Sequence, residues 1–327
     1  MKVLITGITG FVGSHLAEYI LKYRPEVQIV GLARWRSDKS NIRHLLNSLT
    51  LEYGDLTDAH SIKRIFARHL PKFVFHLAAQ SYVDASFLYP AATLEANVVG
   101  TCNVLEAIKE LKLKEADGYD PVVHMCSSSE VYGQVRKNEV PITEKNPFRP
   151  ASPYAVSKVA EDMLALQYFL SWGIKTIRTR MFTHTGPRRG EVFVESAFAK
   201  QIAAIEAGAQ EPVVKVGNLD SIRTFMDVRD AVRAYWLLVH NCTPGEVYNI
   251  GGNVTMSVGD MLKKLLALSS RSDIRVEVDP ARLRPSDVTL QIPSTEKFRA
   301  ETRWEPDVPF DQTLRDILAY WRAYYAK

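Results

Sequence analysis

Short apolar runs rich in β-branched residues alternate, through the first half of the chain, with segments whose apolar positions recur at helical spacing. Residues 3–6 read as a buried strand that runs into glycines, and helical spacing then holds to about residue 23. Residues 28–32, 51–53, 73–77, 122–125 and 175–180 read as further strands. Between them, 61–68 predicts a helix and 93–110 a long one, with Leu94, Val98, Cys102, Leu105 and Ile108 on one face. A third covers 152–172, with Ser152 at its cap and Pro153 at its first position. Strands alternating with helices predict a parallel sheet covered on both faces. Beyond about residue 180 the alternation breaks down. Helices over 193–207, 227–239, 256–268 and 310–325, and a returning strand at 246–250, still stand out. The expected fold is α/β: a doubly wound, Rossmann-type parallel sheet with a smaller interleaved α/β C-terminal domain. Residues 1–178 and 218–251 would form the dinucleotide-binding domain, and 179–217 and 252–327 the substrate domain.

The glycines after the first strand carry the first chemistry. Gly7, Gly10 and Gly13 form GxxGxxG between a strand and a helix. The first allows a tight turn, the second a close approach of backbone to a pyrophosphate, and the third close packing of helix on sheet. The helix start then offers amide donors and a positive dipole to an anion. No acid ends the second strand, where an NAD ribose would need one; Arg34 and Arg36 stand there, with Ser37 and Lys39 nearby. That favours NADP.

Composition changes this picture little. Charged residues make up 24% and hydrophobic ones 46%, ordinary for a folded globular chain. No window approaches the roughly 18 apolar residues of a membrane span, and the first residues lack the layout of a signal peptide. Three cysteines (Cys102, Cys126, Cys242) are too few and too scattered for a disulfide framework, so a cytoplasmic location is expected. The net charge is +4 with no basic run, which argues against nucleic acid; the pairs at Arg34/Arg36 and Arg188/Arg189 suit an anionic small molecule better. His76, His124 and His184 read as packing or loop residues. No ligand spacing suggests a metal.

The second chemistry-bearing set follows the 122–125 strand. Ser127, Ser128, Ser129 and Glu130 open from its end, and Tyr154 and Lys158 stand at i and i+4 near a helix start. An ammonium beside a phenol favours the phenolate, and a neighbouring serine hydroxyl can share the proton of a substrate alcohol. Beside a nicotinamide such a set oxidises an alcohol or reduces a ketone.

TGITGFVGSHL at the start, YGDLTD at 53–58, HLAAQSYV at 76–83, SSSEVYG at 127–133 and SPYAVSK at 152–158 resemble the extended short-chain dehydrogenase/reductases over nearly the whole chain. AAQSYVDASF, FTHTGPRRGEVFV and VGNLDSIRTFMDVRDAV resemble, more narrowly, the GDP-mannose 4,6-dehydratase family. The resemblance implies a lyase that forms a GDP-4-keto-6-deoxy sugar by internal hydride transfer through NADP. Ser128, Glu130, Tyr154 and Lys158 would be catalytic, with Glu130 the base at carbon 5. Asp55 and Leu56 would flank the adenine. Phe11, Val12, Leu77, Ala78, Ala79, Gln80 and Arg189 would line the rest of the cofactor, with Tyr154 and Lys158 at its nicotinamide end. On the substrate side it implies Ser81, Ser129, Thr183, Arg188, Val192, Lys200, Val216, Asn218, Arg223, Arg284 and Asp287. The Arg188–Arg189 loop further implies contacts between subunits, in a homodimer or homotetramer.

Thr183–His184–Thr185 replaces the family's Asn-His-Glu, and Asp287 stands for its ribose-contacting glutamate. KQIAAIEAGAQEPVVKVGNLDSIR also resembles the sister GDP-6-deoxy-4-keto-mannose reductases. An NADPH-dependent reductase of GDP-rhamnose synthesis, or an enzyme of both steps, therefore stays open beside the dehydratase. A redox sensor that merely binds NADP has no need of the Ser128, Tyr154 and Lys158 set, and an epimerase no need of Glu130.

Overall fold

The computed structural model describes residues 1–114, 118–283 and 288–326. Strands β1 (Lys2–Thr6), β2 (Gln28–Ala33), β3 (Thr50–Tyr53), β4 (Phe73–His76), β5 (Val122–Ser128) and β6 (Lys175–Met181) occupy the first half. The second half adds β7 (His184–Thr185), β8 (Val213–Val216), β9 (Ile222–Asp227), β10 (Val247–Ile250), β11 (Val254–Ser257), β12 (Arg275–Val278) and β13 (Leu290–Gln291). The helices are α1 (Phe11–Tyr23), α2 (Ala59–His69), α3 (Val83–Leu88), α4 (Pro90–Leu94), α5 (Gly100–Lys114), α6 (Pro153–Trp172), α7 (Val194–Glu206), α8 (Val228–Asn241), α9 (Val258–Ala267), α10 (Glu296–Thr302) and α11 (Phe310–Tyr325).

Seven strands form one sheet in the order β3-β2-β1-β4-β5-β6-β10, each paired parallel with its neighbours. This is the doubly wound α/β arrangement, and its strand order reverses between β1 and β4. Alternate side chains serve opposite faces, as the pleat requires. Val3 and Ile5 pack with α1 and α8, while Leu4 packs with α2, α5 and α6. Over β1, β2 and β4 both faces are dry, which is why these strands read as apolar runs; β6 instead buries Arg178 and Arg180.

Ser152 caps α6 as expected: its Oγ accepts from the Ala155 amide at 3.1 Å, Pro153 takes the first turn, and Gly173 ends the helix in the left-handed region. The helix expected over 93–110 is interrupted. A π-helical turn at Glu95–Val99 separates α4 from α5, and Asn97 within it is buried.

The second half builds smaller sheets. β11, β9 and β13 lie side by side with β7 also on β9, and β8 pairs with β12. A separate apolar core joins α7, α9 and α11 to β8 and Phe225. Since β9 lies in a smaller sheet, the chain rejoins the large one through α8 and β10 rather than directly from residue 218. No helix among the described residues is long and apolar enough to cross a membrane.

Candidate active site

A cavity of about 1320 Å³ opens beyond the C-terminal ends of β1, β4 and β5 and runs between the large sheet and the smaller ones. Drug-sized ligands fill roughly 300–1,000 Å³, so this one has room for a dinucleotide and a second ligand.

Its floor is the turn after β1. Gly7 has φ +71°, and a Cβ there would lie 2.9 Å from the Ala78 Cα; one on Gly13 would lie 2.3 Å from the Gly7 carbonyl oxygen. Gly10 caps α1 without a side chain, leaving the first helical amides open towards the cavity. Thr6 Oγ1 accepts from the Leu77 and Ala78 amides, both at 3.0 Å, and so ties the end of β4 to β1. Asn97, from the π turn, accepts from the Gln80 amide at 2.7 Å and donates to the Gln80 carbonyl and to Ser157 on α6. Phe11, Val12, Leu77, Ala78, Ala79, Gln80 and Ser81 line this end, with Arg34, Asp55 and Leu56 beyond them. Arg36 lies outside, in an adjoining hollow of about 760 Å³ that shares Arg34, Gly54 and Asp55 with the main cavity. Its guanidinium rests 4.5 Å from the Trp35 ring, and Arg64 lines the same hollow.

At the opposite wall β5 ends in Ser128, whose Oγ accepts from the Glu130 amide at 3.2 Å and starts a 3₁₀ turn over Ser129–Tyr132. That turn aims Glu130 into the cavity. It closes on Gly133 at φ +54°, where a Cβ would collide with the Arg149 carbonyl. The Glu130 carboxylate accepts from Gln291 Nε2 at 3.1 Å and lies 3.9 Å from Arg223, which itself donates to Gln291 at 2.7 Å. Tyr154 and Lys158 reach the same wall from α6, with the Lys158 Nζ 5.9 Å from the Tyr154 ring centre. Burial raises the Tyr154 phenol, while the Lys158 charge and a hydrogen bond with Ser128 pull it back. Lys158 Nζ donates to the Cys126 carbonyl at 3.0 Å and to Glu161 at 2.9 Å. An ammonium has three donors, so one remains for the cavity.

Thr183, Arg188, Arg189, Val192, Val216, Asn218 and Arg223 all line the cavity. Arg188, in the left-handed region at φ +72°, spends its guanidinium on Glu18 of α1 at 2.5 Å. Arg189 lies 3.6 Å from the Phe193 ring centre, has an unpartnered Nε, and pairs with no carboxylate among the described residues. Lys200, expected at the substrate, is off the wall. Ala197 and Phe198 take the inner face of α7, and Lys200 pairs outside with Glu191 beside Trp321 and Tyr324. Arg284 and Asp287 lie outside the described residues.

Three groups were invisible to sequence reasoning. Gln291 and Asn97 are single amides in short or interrupted elements and carry no motif. Glu161, an apparent surface acid, is 1% exposed; its place three residues after Lys158 on a helix was the only signal.

The cradle fits a nicotinamide dinucleotide. Gly7 admits backbone where a Cβ would clash, α1 presents open amides, Arg189 has an unpartnered Nε, and Lys158 keeps one donor beyond its two bonds. Comparison with known proteins agrees. A family model described as GDP-mannose 4,6 dehydratase matches residues 4–317. The GDP-6-deoxy-D-mannose reductase of Pseudomonas aeruginosa is 32% identical over 98% of this chain and 97% of its own. The GDP-mannose 4,6-dehydratase of Vibrio cholerae is 32% identical over 97% and 92%. Among solved structures, RMD from Pseudomonas aeruginosa complexed with NADPH superposes with a TM-score of 0.82 at 30% identity, covering 99% of both chains. The UDP-glucose 4-epimerase of Thermotoga maritima with UDP-glucose reaches 0.87 at 26%, again over 99% of both.

Proposed function

The chain belongs to the GDP-mannose 4,6-dehydratase family of extended short-chain dehydrogenase/reductases, and from that premise we propose that it dehydrates GDP-mannose, or a close GDP-hexose or heptose, to the GDP-4-keto-6-deoxy sugar. The observation that carries this reading is Glu130. The 3₁₀ turn after Ser128 sets a carboxylate into the same wall as Tyr154 and Lys158. Elimination needs such a carboxylate beyond the hydroxyl, phenol and ammonium; because the sister reductases can carry a Glu at the same place, the Arg188–Arg189 loop, which resembles that of the dehydratases, is what favours this reading over a reductase.

Tyr154, as phenolate held by the Lys158 charge, takes the proton of the sugar 4-hydroxyl, and Ser128 donates a hydrogen bond to the 4-oxygen. The 4-ketone acidifies carbon 5. Glu130 takes the carbon-5 proton and delivers a proton to the 6-hydroxyl, which leaves as water; once carbon 6 is reduced, the proton that Tyr154 took from the 4-hydroxyl returns to carbon 5 and restores the phenolate. A nicotinamide, when bound, supplies hydride acceptance at carbon 4 and hydride return at carbon 6, with no net redox change. The glycine turn, Arg34 and Arg189 would hold it, and the basic hollow of Arg34, Arg36 and Arg64 supports NADP over NAD. Arg223 and Asn218 face the side left for the nucleotide-sugar. We place Arg284 and Asp287 in the same role by family resemblance.

A second reading, the NADPH-dependent reductase of the 4-keto product, rests on the likeness to the Pseudomonas reductase over 98% of the chain. Incubation with GDP-mannose and a catalytic amount of NADP, followed by mass spectrometry, separates them. Loss of one water at repeated turnover is expected. No loss, with stoichiometric NADPH oxidation on the 4-keto sugar, would move the assignment to the reductase.

A further inference from the structure

Lys158 sits in a pocket that disfavours its charge. Its side chain is 6% exposed, against Cys126 and over the Tyr154 ring, and a buried ammonium without a counter-ion gives up its proton. The counter-ion present is Glu161, one turn further along α6. Its Oε2 accepts from Nζ at 2.9 Å, and the residue is 1% exposed. It lies behind the cavity wall and lines no part of it. Oε1 has no partner among the described residues, and burial pushes the Glu161 carboxyl up to about 7 against the pull of the Lys158 charge, so the ion pair is complete only from neutral pH upwards, the range in which Lys158 would otherwise lose its proton. Buried ion pairs seldom repay their desolvation in stability, so an incompletely satisfied one beside a candidate catalytic ammonium points to a role in the site.

We infer that Glu161 is a positioning residue, the counter-ion that keeps the Lys158 ammonium charged and fixed beside Tyr154. The inference rests on the reading of Tyr154 and Lys158 as the proton-transfer pair. Burial lowers Lys158 and Glu161, ahead of Tyr154 and Cys126, more than restores it, so the ammonium persists well into alkaline solution. Other charged and titratable groups face the cluster from each neighbouring element. Asp162 stands beside Glu161 on α6, and His76 on β4 and His124 on β5 both feel the Lys158 charge. Tyr235 on α8 and Arg189 border Tyr154. None of them makes a hydrogen bond or ion pair to Nζ.

The arrangement holds a tension. The negative charge that keeps Lys158 protonated also weakens its pull on the Tyr154 phenol. Removing that charge should therefore make both groups more acidic.

The test is NMR of the protein carrying ¹³C-labelled lysine, with the Lys158 Cε signal assigned by its loss in Lys158→Arg. In the wild type this signal should hold its protonated position while the surface lysines titrate. In Glu161→Gln its midpoint should fall to or below theirs, a shift of at least about one pH unit; Glu161→Asp, which keeps the charge, should restore the wild-type behaviour. A wild-type Lys158 that titrates with the surface lysines overturns the inference without any variant, and so does a Glu161→Gln profile identical to wild type. With a turned-over GDP-sugar, both limbs of the pH–rate profile should move to lower pH in Glu161→Gln. A merely structural ion pair would lower the height of that profile and leave its limbs in place. The titration uses no substrate, so its failure strikes Glu161 alone, whereas absent turnover on either GDP-sugar strikes the proposed function alone.

Discussion

The large sheet and the smaller ones meet across one cavity but hold their residues by different means. On the large-sheet side, positions are set by backbone. Gly7 is locked against Ala78, Thr6 and Asn97 clamp residues 77–80, and Ser128 caps the turn that carries Glu130. On the other side, long side chains reach in from strands of two to six residues: Arg223 from β9 and Gln291 from β13. A rigid wall suits proton transfer, whose rate depends on fractions of an ångström. A wall of arginine and amide side chains suits recognition of a phosphorylated ligand that varies in its sugar.

If that contrast is right, substitutions on the two sides should fail differently. The largest effect is expected at Tyr154. Tyr154→Phe should cut turnover on either candidate substrate by on the order of 10³, a loss typical of a general acid–base, with little change in melting temperature; a residual rate near wild type would break the assignment. Next comes the ion triad behind the rigid wall. Asp162 is fully buried and pairs with Arg178 and Arg180, both at 2.8 Å. Asp162→Asn leaves two buried guanidiniums short of a charge and should cost about 3 kcal/mol in urea unfolding.

Acid should weaken the same wall. Burial, helped by the Lys158 charge, pushes His76 and His124 down to about 3 from 6.5. The folded state thus binds fewer protons than the unfolded one between those values. Stability is full above 6.5 and drains as pH falls towards 3, on the order of 1–2 kcal/mol per ring by pH 5. Urea midpoints at pH 7 and 5 check this, and equal midpoints would contradict it. The smallest effect belongs to the recognition side. Gln291→Leu removes a hydrogen bond to Glu130 and should slow elimination several-fold, about 1 kcal/mol, with deuterium uptake at carbon 5 slowing alongside it, while oxidation at carbon 4 stays intact, seen as an unchanged rate of nicotinamide reduction in a single turnover.

The two sides also differ in how plainly the sequence announced them. β1, β2 and β4 are buried on both faces and appear as nearly unbroken apolar runs, whereas β6 stood out by its position in the alternation, since it buries Thr176, Arg178, Thr179 and Arg180. The glycine turn and the Ser-Tyr-Lys set carry spacings that chemistry requires. By contrast β7 and β13 have two residues each, and β12 is exposed throughout. Nothing periodic can show in elements so short or so wet. The π turn escaped for another reason: apolar residues continue in step on both sides of it, and one extra residue per turn leaves no mark in composition. Lys200 misled because family position placed it at the substrate, whereas the helical phase of α7 faces it outwards. Glu161 carried no signal of its own because burial of a charge depends on what α6 packs against, which the local sequence does not contain.

The late return of the chain to the large sheet bears on how such a protein can be divided. β10 is the edge strand beside β6, yet it is made only after the excursion through β7, β8 and β9. A fragment ending near residue 217 would leave β6 as a raw edge, open to pairing with other chains, and would lack α8, which covers one face of the sheet. The two halves are therefore not modules that a gene fusion could exchange at a single junction. Any recombination that brought in a new nucleotide-sugar pocket had to preserve at least three crossings between the layers.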